Sequence, residues 1–345
     1  MFARPADLAA CREMIRTGSR SFFLASLFLP DRVRQAAYAL YAFCRLSDDA
    51  VDLDGGKDDT IARLRGRLDG VFGGAPQDHP VDRALADTVA DFAMPRIVFD
   101  ALLEGLEWDA SERTYRSLED VHAYGARVAG AVGAMMAVLM DARSPDLVAR
   151  ACDLGVAMQL TNIVRDVGDD ARMGRVYLPR DWLEAQGLDV EAWLAAPGPA
   201  PQIAEASRRL LAEADRLYRR ADAGIANLAP GFRPAILSAR RLYAAIGDQV
   251  IRQDLDNLTR RAVVPLGAKL GLLASAVTDA GRMGMRSPAG PPLEATAYLV
   301  EAVASTAILA DASNRPVKGV SADIAWLVDL FSGLDARGGL RQSRP

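Results

Sequence analysis

Apolar residues recur every three or four positions along most of this 345-residue chain, and this spacing limits the possible folds more than any other feature. It is clear in VRQAAYALYAFCRL, in DLVARACDLGVAMQLTNIV and in RPAILSARRLYAAIGDQVI, each of which would form a helix with one apolar face. Sustained alternation of apolar and polar residues, which is typical of strands, is hard to find. The sequence therefore predicts an all-α protein.

The helical segments are separated by short clusters of Gly and Pro, such as FGGAPQDHP, LAPGFRP and RMGMRSPAGPP, which are typical of loops. None of these clusters resembles a long flexible linker, and no repeat with a fixed period is present. We therefore predict a single domain, a helical bundle over residues 1–335, followed by a flexible tail over residues 336–345.

Composition excludes several classes of protein. The net charge of −4 and the pI of about 5.4 leave no basic surface for nucleic acid. The three cysteines contain no CxxC pair, and no charged-then-apolar leader precedes them, so a disulfide-rich secreted protein is not expected. The longest uncharged apolar run, VAGAVGAMMAVLM, is shorter than the roughly 20 residues that cross a bilayer. The predicted location is the cytoplasm.

Two pairs of aspartates stand out, because each extends a strongly apolar helix with i, i+4 spacing. These pairs are Asp48 with Asp52 and Asp166 with Asp170. The spacing stacks both carboxylates of a pair on one helix face. Three further DxxxD matches fall in a Gly-Gly turn, across a proline and on an ordinary amphipathic helix, so they are set aside. For any single pair, the solvated end of a helix is an alternative interpretation.

Other polar residues extend both pairs into stripes, and this favours a functional site. Tyr41 and Arg45 precede the first pair on the same face, while Gln159 and Asn162 precede the second. The chain has only two histidines, so a metal ion would have to be held by oxygen atoms. Carboxylates on facing helices suit Mg²⁺, which takes its remaining ligands from water and substrate phosphates. The sequence thus predicts a diphosphate substrate whose apolar part enters the core.

At this level of detail the chain resembles the squalene/phytoene synthase family, in its bacterial phytoene synthase branch. The resemblance covers nearly the whole length and lies in SRSFF, YAFCRLSDDAVD, YGARVAGAVG, QLTNIVRDVGDDARMGRVYLP and ARRLYAAIGDQV. It implies an all-α isoprenoid synthase fold around a central cavity. The implied metal ligands, for Mg²⁺ or Mn²⁺, are Asp48, Asp52, Asn162, Asp166 and Asp170, and the implied catalytic residues are the four aspartates and Tyr243. Substrate binding is implied for Ser19, Arg20, Ser21, Tyr41, Arg45, Tyr124, Gln159, Asn162, Arg165, Tyr177 and Arg260.

The resemblance implies head-to-head condensation of two geranylgeranyl diphosphates to phytoene, through prephytoene diphosphate and without NADPH. A C30 synthase that uses farnesyl diphosphate is the alternative among enzymes. A silent isoprenoid-binding or assembly protein of the same fold is the alternative outside enzymes. Because substrate and product are very apolar, we also expect peripheral contact with the inner face of the membrane, through LGAKLGLLASAVTDA or AYLVEAVASTAILA. The chain departs from the resemblance at Gly125 to Arg127, where family members commonly carry aromatic or other bulky residues, and Arg127 is expected to alter the shape of the cavity.

Overall fold

The structure of the chain is a computed structural model that describes residues 1–53, 58–287 and 289–310. Within these ranges there is no β-strand, so the all-α prediction is confirmed. The predicted end of the domain at residue 335 lies outside the described residues. The α-helices are α1 (Pro5–Gly18), α2 (Arg20–Ser26), α3 (Asp31–Leu53), α4 (Asp58–Phe72), α5 (Pro80–Asp91), α6 (Ile97–Ala110), α7 (Leu118–Gly125), α8 (Ala131–Leu139), α9 (Pro145–Arg172), α10 (Arg180–Glu184), α11 (Val190–Ala195), α12 (Pro201–Asn227), α13 (Arg233–Arg252), α14 (Leu266–Ala280) and α15 (Ala297–Ala310).

Helix α9 lies at the centre of the fold and packs against α7, α8, α12, α13 and α15. It begins at a Ser144 cap, whose side chain accepts the Leu147 N–H, and Pro145 occupies its first turn. Of the described helices, α9 is the one long and apolar enough to cross a membrane, yet 78% of its most apolar stretch is buried inside the fold. Such burial is typical of the core helix of a folded domain.

Two apolar clusters pack on either side of a cavity of about 340 Å³. The first cluster contains Phe43 of α3 and Phe99 of α6, whose rings meet edge to face at 5.7 Å. The second runs along α9, α12 and α13. The cavity is lined by side chains of both clusters, so its walls are apolar over most of their length.

A π-helical segment, Ala126–Gly130, joins α7 to α8 and directs two neighbouring side chains to different places. Val128 lines the cavity. Arg127 instead pairs with Glu104 at 2.9 Å and lies 4.1 Å from the centre of the Trp108 ring. Arg127 is thus held outside the cavity wall, and the expectation that its side chain shapes the cavity finds no support in these contacts.

The loop between α13 and α14 packs directly against α9 at Gly168. A Cβ atom at this position would overlap the Leu258 carbonyl oxygen. The contact is held by Asn257, which is 4% exposed and donates from Nδ2 to the Val164 carbonyl oxygen at 2.8 Å. Because Gly168 lies between Asp166 and Asp170, this close approach brings the loop next to the second aspartate pair.

We expect Gly168→Ala to lower the free energy of unfolding by roughly 1–3 kcal/mol, because the added methyl group overpacks this contact. The matched control is Gly66→Ala, since Gly66 is an exposed helical residue and an added methyl group there would meet no atom within 4 Å. That change should instead stabilise the protein by up to about 1 kcal/mol, through helix propensity. Urea unfolding of both variants measures the difference, and equal effects at the two positions would contradict the packing argument.

Candidate active site

Helix α3 brings its polar stripe to one end of the cavity. Tyr41 is half-buried and lines the cavity wall. One turn farther along, Arg45 Nη2 pairs with Asp49 Oδ1 at 2.5 Å and Arg45 Nη1 lies 3.6 Å from Asp48 Oδ2. The backbone of Asp52 continues the helix, but its side chain lies outside the described residues. Tyr41, Arg45 and Asp48 therefore share one face, as predicted.

Helix α9 presents its own polar stripe at the same end of the cavity. Gln159 and Asn162 line the cavity, with Asn162 Nδ2 donating to Gln159 Oε1 at 3.4 Å. Asp166 and Asp170 follow on the next two turns and are partly exposed. The stripe thus passes from amides in the wall to carboxylates at the mouth.

Two arginines neutralise Asp166. Arg165 Nε donates to Asp166 Oδ1 at 2.8 Å, and Arg261 Nε donates to the same oxygen at 2.9 Å. Burial alone would raise the pKa of Asp166, but these two hydrogen bonds outweigh it, and the pKa is lowered. Arg261 therefore reaches the second aspartate pair from the loop that packs on Gly168, and sequence analysis had not singled it out.

The pKa of Asp170 is shifted in the opposite direction to that of Asp166. Burial, and then the negative charge of Asp166, raise the pKa of Asp170 to about 7. Arg175 opposes this shift and Asp109 adds to it. A bound cation would relieve both the burial and the repulsion.

Asp109, at the end of α6, is a second residue that sequence analysis missed. Its two carboxylate oxygens accept hydrogen bonds from Tyr177 Oη at 2.8 Å and Tyr124 Oη at 2.9 Å. Burial raises the pKa of Asp109 to about 6 against these two hydrogen bonds, and the charge of Asp48 raises it further. Asp109 thus lies within electrostatic reach of both polar stripes.

Asp109 fixes a group of stacked tyrosines beside the mouth. The rings of Tyr124 and Tyr177 stack with their centres 5.2 Å apart, and both rings stack or tilt against Tyr115. The resemblance had implied Tyr124 and Tyr177, and the structure brings them together. In the sequence, Asp109 lies in EWDASE, which has the pattern of an ordinary acidic helix end. Its contacts with Tyr124 of α7 and with Tyr177, which follows α9, are visible only in the structure.

Beyond the mouth, aromatic rings line the cavity. Tyr243 of α13 is 8% exposed and stacks on Phe22 of α2, with ring centres 5.0 Å apart. Burial raises the pKa of Tyr243 to about 12, so its phenol stays neutral at physiological pH. A neutral ring in a desolvated wall can stabilise a nearby cation by roughly 0.5–2 kcal/mol.

Two of the implied substrate-binding residues, Ser19 and Arg260, make other contacts in the structure. Ser19 caps α2, where its side chain accepts the Phe22 N–H. Arg20 is exposed and Ser21 is partly buried. Arg260 Nε lies 3.4 Å from Asp256 Oδ2, and its side chain is 68% exposed. The next residue in the chain, Arg261, is the one that contacts Asp166. The substrate-binding roles of Ser19, Arg20, Ser21 and Arg260 stay predictions.

The donor set at the mouth fits a divalent cation held by oxygen. Asn162 Oδ1 is buried and accepts no hydrogen bond in the described part of the chain, so it is an oxygen ligand without a partner. Asp170 is partly buried beside a like charge, which a cation would compensate. No three carboxylate, imidazole or thiol groups of the described residues form a complete metal site by themselves. Further oxygen ligands would have to come from water or substrate.

The match to known proteins agrees with this geometry. Residues 15–268 match the family model of squalene/phytoene synthases. The chain belongs to the squalene/phytoene synthase family. It is 50% identical over 342 residues to a phytoene synthase from Cereibacter sphaeroides, covering 96% of this chain and 94% of the relative. It is 51% identical over 307 residues to a phytoene synthase from Rhodobacter capsulatus, covering 87% and 90%.

Solved structures of a dehydrosqualene synthase and a squalene synthase show the same fold. A dehydrosqualene synthase in complex with a ligand has a TM-score of 0.73 and 32% identity, covering 80% of this chain and 97% of that one. A squalene synthase from Alicyclobacillus acidocaldarius has a TM-score of 0.63 and 25% identity, covering 72% and 94%. The predicted all-α isoprenoid synthase fold is thus confirmed.

The raised pKa of Asp109 predicts a pH-dependent effect of Asp109→Asn. Because the pKa in the folded protein is about 6, above the usual value near 4, the wild type loses stability as pH rises between these values. The variant cannot lose a proton there. Its melting temperature relative to wild type should therefore become more favourable from about pH 4.5 to about pH 7.5, even if the lost tyrosine hydrogen bonds lower it throughout.

Thermal unfolding in EDTA at the two pH values measures this change. Asp91→Asn is the control, since Asp91 is an exposed carboxylate at the end of α5. A melting-temperature difference for Asp109→Asn that has the same value at both pH values would show that Asp109 does not titrate as described.

Proposed function

We propose that this protein condenses two molecules of geranylgeranyl diphosphate head to head into phytoene, with release of two diphosphates, in carotenoid biosynthesis. The observation that carries the proposal is an apolar cavity whose polar mouth is formed by the stripes of α3 and α9. A prenyl diphosphate has the same division into an anionic end and an apolar chain. The identity to phytoene synthases over nearly the whole chain supports a 40-carbon product.

The side chains at the mouth have defined tasks in this reaction. Asp48, Asp166, Asp170 and the Asn162 amide oxygen would hold Mg²⁺ or Mn²⁺, together with Asp52. When bound, such an ion draws electron density from the departing diphosphate. Arg165 and Arg261 keep the Asp166 carboxylate ionised, and so ready to act as a ligand.

The cavity wall has a different task, which is to exclude water from the cationic intermediates. In the first step the C1–O bond of one substrate breaks, C1 bonds to the double bond of the other, and a proton is lost to give prephytoene diphosphate. In the second step the remaining diphosphate leaves, the cyclopropane ring rearranges and a proton is lost to give phytoene. Tyr243 and Phe22 present stacked aromatic faces to the cavity during both steps.

Product analysis tests the proposal against a C30 synthase. The purified protein is incubated with geranylgeranyl or farnesyl diphosphate, each with and without NADPH, and the extracted hydrocarbons are identified by mass spectrometry. We expect phytoene from geranylgeranyl diphosphate, with no requirement for NADPH. Squalene or dehydrosqualene as the main product would favour the C30 alternative. No hydrocarbon from either substrate would favour a silent isoprenoid-binding protein.

We expect Asp48→Asn and Asp166→Asn each to lower kcat by at least about 100-fold, because each removes a charge from a metal ligand without changing its volume. Chelation with EDTA should abolish turnover of the wild type. Asp91→Asn, which belongs to a DxxxD match on α5 away from the cavity, is the control and should retain wild-type activity.

A second measurement separates metal binding from catalysis. Mg²⁺ with inorganic diphosphate should raise the melting temperature of the wild type and of the Asp91→Asn control, and should raise that of Asp48→Asn and Asp166→Asn much less. Equal melting-temperature increases in all four proteins would place the metal elsewhere.

We propose a cytoplasmic location with peripheral membrane contact through α14. Only Leu273, Ala276 and Ala280 of this helix are buried. Leu266 and Val277, which are 45% and 39% exposed, lie three turns apart and so share one outward face. In α15, by contrast, Leu299 and Val303 are fully buried, so the apolar residues described in its first two turns are used for packing. The exposed face of α14 can enter the headgroup region of a bilayer.

Liposome flotation tests this contact. The wild type should float with vesicles of inner-membrane lipids, and Leu266→Asp with Val277→Asp should lower the floating fraction several-fold. Ile97→Asp, on α6, is the control because Ile97 is 40% exposed on another helix. A wild type that stays in the soluble fraction, with or without substrate, would contradict membrane contact.

A further inference from the structure

One charged residue belongs to the apolar wall of the cavity. Arg150 of α9 lines the cavity and is 1% exposed, and no other Asp, Glu, Lys or Arg occurs among the described residues of the lining. Burying an arginine costs free energy unless the guanidinium is paired. Its position in a hydrocarbon-binding wall therefore requires an explanation.

A buried cluster behind the wall holds Arg150 in place. Arg150 Nε lies 3.2 Å from Asp153 Oδ2, and Arg220 Nε donates to the same oxygen at 2.9 Å. Both arginines also donate to the Pro291 carbonyl oxygen, Arg150 at 3.3 Å and Arg220 at 2.5 Å. Moving the Arg150 side chain aside would leave Asp153, which is fully buried, with one partner fewer.

The stem of Arg150 also packs closely against a neighbouring helix. Gly224 of α12, one turn from Arg220, lies so close that a Cβ atom there would overlap Arg150 Cβ. Arg150 therefore forms a fixed contact between α9 and α12. Ala221 and Ile225 of α12 line the cavity at the same place.

The depth of Arg150 in the cavity matches the length of one substrate chain. Residues that line the cavity recur along α9 from Asn162, the lining residue of α9 nearest the mouth, to Arg150, twelve residues deeper. At 1.5 Å per residue this is about 18 Å. The sixteen main-chain carbons of an extended geranylgeranyl group span about 18 Å, at roughly 1.2 Å per bond of an extended chain. A farnesyl group, with twelve such carbons, ends about 13 Å from the mouth, near Leu154.

We propose that Arg150 is a specificity-determining residue that ends the space for one prenyl chain at four isoprene units. The inference rests on the proposed function and adds the residue that limits chain length. A chain with a fifth unit would have to displace the Arg150 side chain, whose guanidinium is held by Asp153 and Pro291 behind the wall. Leu147, one turn deeper, also lines the cavity, so Arg150 limits the space next to α12 and not the whole cavity.

Competition between substrates tests this proposal. Wild type and Arg150→Ala are given equal concentrations of the 20-carbon and 25-carbon prenyl diphosphates, and the consumption of each is followed. The substitution removes six non-hydrogen atoms, which leaves room for the five carbons of an isoprene unit. The ratio of kcat/KM for the 25-carbon over the 20-carbon substrate should rise by about tenfold or more, as expected for a pocket enlarged by more than one methylene.

The matched control is Arg220→Gln, which disturbs the same ion cluster without touching the cavity wall. It should leave the substrate ratio unchanged, and a ratio that rises equally in both variants would overturn the proposal. If Arg150→Ala does not fold, Arg150→Ala with Asp153→Asn removes the unpaired charge as well, and the same rise is expected. A folded variant that still rejects the 25-carbon substrate overturns the inference. A wild type that makes no phytoene from the 20-carbon substrate contradicts the proposed function instead.

Discussion

The whole site depends on one helix that carries both an acidic mouth and an apolar wall. Helix α9 has 28 residues and so is about 42 Å long, which is enough to run past the cavity and extend the aspartates beyond it. Its neighbours approach it closely at small residues. The carbonyl of Ala129 packs against Gly155, and that of Leu258 packs against Gly168. These contacts place the mouth and the wall in a fixed relation along one axis.

The carboxylates at the mouth are balanced by arginines from more than one part of the chain. Asp166 is compensated by Arg165 on its own helix and by Arg261 on a loop. Asp170 is not compensated to the same degree, and its pKa is raised to about 7. Carboxylates that are buried close together favour either a proton or a cation between them. The electrostatics of the mouth therefore suit a site that binds a metal together with an anionic substrate.

Arg150 presents the opposite case, a positive charge placed deep in an apolar wall. At the mouth the charges stay near solvent, where ions and diphosphate can reach them. Deep in the cavity, the charge of Arg150 is paired behind the wall, and the Arg150 side chain is therefore hard to displace. The same physical rule, that a buried charge must keep its partners, thus produces a binding site at one end and a rigid boundary at the other.

The all-α fold, the two polar stripes and the family could all be predicted from the order of residues along the chain. Helical spacing and i, i+4 pairs are local properties, so Tyr41 with Arg45 and Asn162 with Asp166 could be placed on shared faces without coordinates. Contacts between different helices and loops, by contrast, depend on how the chain packs in three dimensions. Asp109 gains its role from tyrosines 15 and 68 residues away in sequence. Arg261, and not Arg260, reaches Asp166 because the loop packs on Gly168, and local spacing carries no information about such long-range contacts.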